Sequence, residues 1–426
     1  MLLSPTGLSL NPMLTPTQQA TLVLWQLVNL SVTSYAKLLT AFHTPTQAIA
    51  TSLSDWQALN LHASHLQRFS DYIQAGRHST FLATTLQQLA QGEYQVVFYD
   101  EPSYPALLKQ LYDPPPVLFY QGNVQALSMP QLAIVGSRKP TPHASKITFD
   151  MAQFLAYEGL WITSGLAEGI DSQAHQGALA QNESNKQGRT VAVLGNGIRL
   201  CYPKHHQGLK QQIIANGGCV VSELLPDMPS NKHHFPRRNR LVAGLSLGTL
   251  VVEAALQSGS LITAKCANDQ GKQVFAIPSH IDNHNAKGCH QLIREGATLI
   301  DHPQQILEDL SVFQSPFADN HPGVIERTTT KVVSSQPITK SEANLSTDSA
   351  AITNVSVAPD FSQALPTNLP AHLLQLLNQL DWVGQDMDAL VERSGLDIAT
   401  LTGYLVELEL MGHIMQHGGR YLRCRT

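Results

Sequence analysis

Within residues 232–240 the chain sets a lysine, an aromatic ring, three arginines and an amide in nine positions: Lys232, Phe235, Arg237, Arg238, Asn239 and Arg240. No acidic residue lies within 228–252. Planar guanidinium groups grip phosphate oxygens in pairs, an amide bonds a base or sugar, and a ring stacks on a base. The chemistry is that of holding a nucleic acid or a nucleotide. The same residues also describe a solvated basic cluster opening a core helix, because the segment that follows, LVAGLSLGTLVVEAAL, is apolar. The surrounding chain decides between the two.

Further turns with unusual residues fall at the ends of apolar runs. After QLAIV come Gly136, Ser137 and Arg138, then Lys139-Pro140, with Thr141-Pro142 as a helix cap and first-turn proline. Gly136 permits close backbone approach, Ser137 and the amides suit a phosphate at a helix N-terminus, and Arg138 adds charge. After LWIT come Ser164 and Gly165, then Gly169-Ile170-Asp171 with His175 one turn later. That loop reads as a second phosphate- or sugar-facing turn or as a helix capped by Asp171, with His175 a structural partner in reach of Asp171. TVAVLG leads into Asn196-Gly197 and on to Tyr202-Pro203-Lys204. Ser258, Gly259 and Ser260 begin another helix and offer two hydroxyls to the same edge, although capping and close packing explain them as well. Neither G-x-G-x-x-G nor G-x-x-x-x-G-K-[ST] occurs, so neither a dinucleotide cofactor bound in the usual way nor P-loop ATP hydrolysis is expected.

The elements that position these turns follow from the spacing of apolar residues. From residue 94 the runs QVVFY, PVLFY, QLAIVG, LWITSG, TVAVLG, CVVSE, GTLVVEA and QVFAIP alternate with helical stretches. Continuous rather than alternating apolarity marks strands covered on both faces. This predicts a doubly wound α/β sheet, in which ligands sit at the carboxyl ends of the strands. Residues 15–89 read as helices, with leucines at helical spacing between Ser, Thr and Pro punctuation. No glycine-containing hairpin occurs in VNLSVTSY, so this region is read as packing or interaction rather than DNA contact. The stretch 311–367 is rich in Ser, Thr, Pro, Asn and Asp and reads as a disordered linker. Beyond it, three short helical patterns and a hairpin around Gly418-Gly419 follow the winged-helix plan. The helix LDIATLTGYLVELEL carries no Lys or Arg, which argues against reading a major groove and suits a protein-interaction or dimer-organising role at least as well. The domain reading is 1–92 helical, 93–310 the sheet, 311–367 linker and 368–426 winged helix.

Composition agrees with a cytoplasmic protein of several domains. With 426 residues, 43% hydrophobic and 14% charged, the chain can bury a large core. Its five cysteines form no C-x-x-C pair, which indicates neither a disulfide framework nor a zinc site, and no run is long enough to span a bilayer. The net charge of −5 hides an asymmetry, for residues 131–245 carry 12 Lys and Arg against 7 Asp and Glu while the remainder carries 15 against 25. A local positive groove on an acidic protein binds phosphates selectively.

Taken together, GSRKPT, SGLAEGID with AH, VLGNGI, YP, FPRRNRLVAGLS, VVEA, SGSLITA and VFAIP, in this order and spacing, resemble the DNA-processing protein A (DprA/Smf) family over residues 94–310. The resemblance implies a Rossmann-like domain flanked by helical and winged-helix domains. It implies no enzymatic activity, and since no metal-ligand set or activated nucleophile stands out among the residues, neither metal nor cofactor is expected. It implies instead a homodimer that binds single-stranded DNA, protects the incoming strand during natural transformation, and loads a RecA-type recombinase. Carried onto this sequence, the phosphate contact falls on Gly136, Ser137 and Arg138. The lysine and aromatic lining the pocket fall on Lys232 and Phe235, and the arginine-asparagine-arginine motif on Arg238, Asn239 and Arg240. The chain departs from the family pattern at Arg199, Ser279 and His290, away from those positions.

Two other readings compete. Phosphoribohydrolases that cleave nucleoside monophosphates share a similar architecture and use a P-G-G-x-G-T loop with a nearby glutamate. Gly248-Thr249 and Glu253 resemble its end, but Gly244-Leu245-Ser246-Leu247 stands where Pro-Gly-Gly is needed. A duplex-reading transcription regulator would rely on the winged helix, whose presumptive recognition helix is acidic.

Overall fold

The computed structural model describes residues 14–180, 190–311, 370–380, 385–411, 413–417 and 420–423. The linker expected over 311–367 lies, after residue 311, outside the described residues. The chain divides into two compact units, Met1–His321 and Pro322–Thr426.

The first unit opens with six helices: α1 Pro16–Leu27, α2 Val32–Phe42, α3 Pro45–Ala50, α4 Leu53–Gln57, α5 Ala63–Gln74 and α6 Thr80–Ala90. Their starts follow the Ser and Thr punctuation. Thr15 and Gln18 form a capping box, Ser52 and Asp55 another, Ser31, Thr44 and Ser79 cap α2, α3 and α6, and His62 caps α5. Trp56 stacks on Phe69 at 3.9 Å, and Trp25 is fully buried. The helices do not close on themselves. Trp25, Leu38 and Phe69 belong to one apolar cluster with Phe119, Ala192 and Val220 of the sheet, so helices and sheet share a core.

Each of the eight apolar runs forms a strand: β1 Gln95–Phe98, β2 Val117–Gly122, β3 Gln131–Val135, β4 Trp161–Ser164, β5 Thr190–Val193, β6 Cys219–Ser222, β7 Gly248–Val251 and β8 Gln273–Ala276. A ninth, β9 Thr298–Leu299, adds an edge. The order is β1-β2-β6-β5-β4-β3-β7-β8-β9, parallel from β6 to β9, with β1 and β2 antiparallel at one end. Strands β3 to β7 are buried throughout, which their unbroken apolarity requires. Helices α7 Ala106–Lys109, α8 Pro142–Tyr157, α9 Ile170–Leu179, α10 Gln207–Ala215, α11 His234–Leu245, α12 Gly259–Asp269, α13 Lys287–Arg294 and α14 Pro303–Ser311 complete the unit. From β3 the chain winds outward through β4, β5 and β6, then returns to β7 on the other side of β3. The crevice outside the ends of β3 and β7 is therefore the point where the winding reverses and ligands bind in such sheets.

The departures from the family pattern are accommodated locally. Arg199 pairs with Glu93 and Asp227, tying the turn after β5 to neighbouring segments. The other two meet each other: the Ser279 amide donates to His290 Nε2 at 3.3 Å.

The second unit has α15 Ala371–Gln379, α16 Met387–Ser394 and α17 Ile398–Leu410, with strands β10 Gln385–Asp386, β11 Ile414–His417 and β12 Arg420–Arg423 ordered β10-β12-β11. Leu373, Leu376, Leu390, Leu401, Leu405 and Ile414 form its core. Asp397 caps α17, accepting from the amides of Ala399 and Thr400. Three helices and a small wing give the winged-helix arrangement.

Candidate nucleic-acid interface

The turns after β3 and β4 are locked into one another. The Ser137 carbonyl accepts from the Ile170 amide at 3.0 Å, and the Ser137 amide donates to the Glu253 carbonyl at 2.7 Å. A Cβ on Gly136 would lie 2.6 Å from Ile170 Cγ1. Gly169, at φ +76°, presses so closely on the Ser137–Arg138 backbone that a Cβ would come 2.7 Å from the Arg138 carbonyl carbon. These glycines serve close packing of one loop on the other. The Ser137 amide is occupied by Glu253, but its hydroxyl only accepts, from the Lys139 amide at 3.1 Å, and keeps its O–H to donate.

Asp171 is buried and accepts from the amides of Gly165 at 3.1 Å and Ala167 at 3.3 Å, which fixes the second loop. Burial pushes its carboxyl up, against the opposing pull of Arg238. His175 does not reach Asp171. Its Nδ1 pairs with Thr190 Oγ1 at 2.7 Å, and burial drives its pKa down to about 3.

Three expected ligands are drawn inward. Ser164 is fully buried and donates its hydroxyl to the Ile134 carbonyl at 2.7 Å. Gly165 lies beneath the guanidinium of Arg238, whose Cζ would stand 2.5 Å from a Cβ there. Arg238 is itself buried, donating to the carbonyls of Gly165 and Val193. It therefore clamps the ends of β4 and β5 rather than presenting its charge. Its neighbour Asn239 is engaged on both sides, accepting from Arg238 Nε and donating to the Gly259 carbonyl, each at 3.2 Å. That second bond draws the start of α12 toward α11. There Ser258 caps Ser260 and their hydroxyls pair at 2.5 Å, while Gly259 faces open space.

Arg240 is turned to the opposite side of α11. With Arg237 it binds the carboxylate of Glu223, which is 2% exposed, and it also reaches Asp113. Arg237 further donates to the Leu30 carbonyl and lies over Trp25. Of the three arginines at the start of α11, all are held by the protein, and Arg240 is a structural ion-pair partner.

What remains exposed is the surface around Phe235 bordered by Arg138 and Tyr202, termed the basin. The Phe235 ring rests on Gly195, where a Cβ would come 2.7 Å from Cδ1. The Arg138 guanidinium lies over the ring at 5.4 Å from its centroid. Arg138, Lys139, Lys204 and Lys232 are exposed, and none forms an ion pair with a described residue. Tyr202 stands beside Phe235, with ring centroids 5.4 Å apart. In the sequence it was visible as the tyrosine of the YP motif after a glycine turn; nothing in its spacing to Phe235 revealed the contact.

Glu253 has both carboxylate oxygens engaged by Thr141. It accepts from the Thr141 hydroxyl at 2.8 Å and from the Thr141 amide at 3.2 Å, anchoring the cap of α8. No group of three His, Cys, Asp or Glu among the described residues is placed to hold a metal, and no helix among them is long and apolar enough to cross a membrane.

The sequence model described as DNA recombination-mediator protein A matches residues 95–311, and that of the DprA winged helix domain matches 362–420. Protein Smf of Escherichia coli is 36% identical over 345 residues, covering 81% of each chain. The DNA processing protein DprA of Streptococcus pneumoniae is 44% identical over 206 residues, 48% of this chain and 71% of that one. Its crystal structure superposes with a TM-score of 0.58 at 34% identity, covering 68% of this chain and 97% of the other. The interlocked turns, the Arg238 clamp and the basin around Phe235 all lie within the matched stretch, and the chain belongs to the DNA recombination-mediator protein A family.

Proposed function

We propose that this chain binds single-stranded DNA in the basin around Phe235, without chemistry on the strand, and serves DNA processing in recombination and natural transformation. The carrying observation is that Arg138 stands exposed over the Phe235 ring at the reversal point of the sheet, with Lys232 exposed nearby. A cation beside a stacking ring takes a phosphate and its base without regard to sequence. In this reading Ser137, Arg138 and Lys232 contact the backbone and Phe235 the base. Gly136, Gly165, Gly169, Arg238 and Asn239 shape the basin, and Arg240 holds its supporting helix. The family's description as a recombination mediator supports a partner that acts on the bound strand, and we assign that place to a RecA-type recombinase, with the protein acting as a cytoplasmic homodimer. The engagement of Glu253 with Thr141 speaks against a phosphoribohydrolase.

The test is anisotropy of labelled oligo-dT and of its duplex with the full chain across a salt titration. Tight, salt-sensitive binding of the single strand over the duplex is expected. Duplex preference, or release of free base from nucleoside monophosphates, would overturn the reading.

A further inference from the structure

The more exposed aromatic ring beside Phe235 belongs to Tyr202, a residue to which no role on the strand was carried over. Phe235 is half-buried, backed by Gly195 and overlain by Arg138. Tyr202 is 47% exposed. Their rings meet at 5.4 Å with 47° between planes, a contact that leaves no slot for a base between them. A base stacked on Tyr202 is therefore a different one from any base that meets Phe235.

The turn that bears Tyr202 is held rigid. Buried Lys210 donates to the carbonyls of Ile198 and Leu200. Arg199 is fixed by Glu93 and Asp227, and its amide donates to the Pro226 carbonyl at 3.1 Å. The Leu200 amide closes the turn on Gly197 at 2.9 Å. An exposed ring on an immobilised turn is a preorganised platform, because little ordering remains to be done on binding. Lys204, two residues on, is exposed and stands ready for the adjoining phosphate.

We infer that Tyr202 is a second stacking platform, taking the base next to the one on Phe235 and extending the strand's path toward Lys204. The inference rests on the strand-binding reading above. It is tested with the full chain, measuring affinity for labelled oligo-dT and for a deoxyribose-phosphate oligomer of equal length that lacks bases. Tyr202→Ala weakens oligo-dT binding by roughly 5- to 150-fold, the range for loss of one stacked base, and leaves the baseless oligomer unchanged. Tyr202→Phe binds both as the native chain does. An equal loss for both oligomers would make Tyr202 merely structural and overturn the inference. So would no loss for either while Phe235→Ala and Arg138→Ala weaken oligo-dT. If the native chain fails to bind oligo-dT at all, the strand-binding reading itself falls.

Discussion

Arg237 and Glu223 meet with Nε 2.9 Å from Oε1, and this pair joins the helix that carries Phe235 to the N-terminal helices. Arg237 also donates to the Leu30 carbonyl and lies over Trp25, whose indole donates to the Glu223 carbonyl at 3.1 Å. One face of α11 thus looks onto the basin while the other is clasped through a buried carboxylate.

Removing that carboxylate leaves Arg237 without an anion and Arg240 with Asp113 alone, their side chains being 28% and 12% exposed. Loss of one partner of a buried ion pair costs about 3–5 kcal/mol. Glu223→Ala is expected to lower unfolding free energy by that amount in urea titration. A loss below about 1 kcal/mol would show the cluster to be solvated and dispensable.

Two glycines of the expected site should respond differently to an added methyl. Gly169 combines φ +76° with contact to the Ser137–Arg138 backbone, so Gly169→Ala should cost about 1–3 kcal/mol and weaken strand binding. Gly259 opens α12 with nothing within 4 Å of its Cβ position, and Gly259→Ala should stay within about 0.5 kcal/mol of the native chain. Thermal midpoints of the two variants decide it; equal effects would mean the turns are not interlocked.

Much of this arrangement was legible in the sequence. Unbroken apolar runs ending in glycine identify β3, β4 and β5, and Thr141-Pro142 marks the start of α8 as the structure has it. The division of labour among the arginines was not legible. The three-residue spacing of Arg237 and Arg240 puts them on one helix face, with Arg238 on another. Their fates depend on Glu223, Asp113, Gly165 and Val193, which only the fold brings near. His175 likewise has an acid one turn away on its own helix, yet finds its partner on β5.

Salt dependence tests which arginines face a bound strand. Each phosphate contact on a single strand adds about 0.7 to the slope of log affinity against log salt. Arg138→Ala and Lys232→Ala should each reduce the slope by about that amount, alike for every sequence tested. Arg240→Gln, at a structural position, should leave the slope unchanged. If Arg240→Gln flattens it and Arg138→Ala does not, the proposed face of α11 is the wrong one.

His175 sets an acid limit on the fold. Its imidazole is fully buried, with Nε2 unpartnered and Nδ1 on Thr190, and its pKa is driven from 6.5 down to about 3. A depressed folded pKa means that the unfolded chain takes up a proton the native chain refuses. Its contribution to stability is therefore complete above about pH 6.5 and is lost as pH falls toward about 3. The loss approaches roughly 1.4 kcal/mol per pH unit once the unfolded imidazole is titrated. His175→Asn can keep a hydrogen bond to Thr190 but cannot titrate. Its stability, measured by denaturant between about pH 4.5 and 6.5, should fall less steeply than that of the native chain by close to one proton. Parallel slopes would mean that His175 is protonated in the native state, and that the buried site admits a charge.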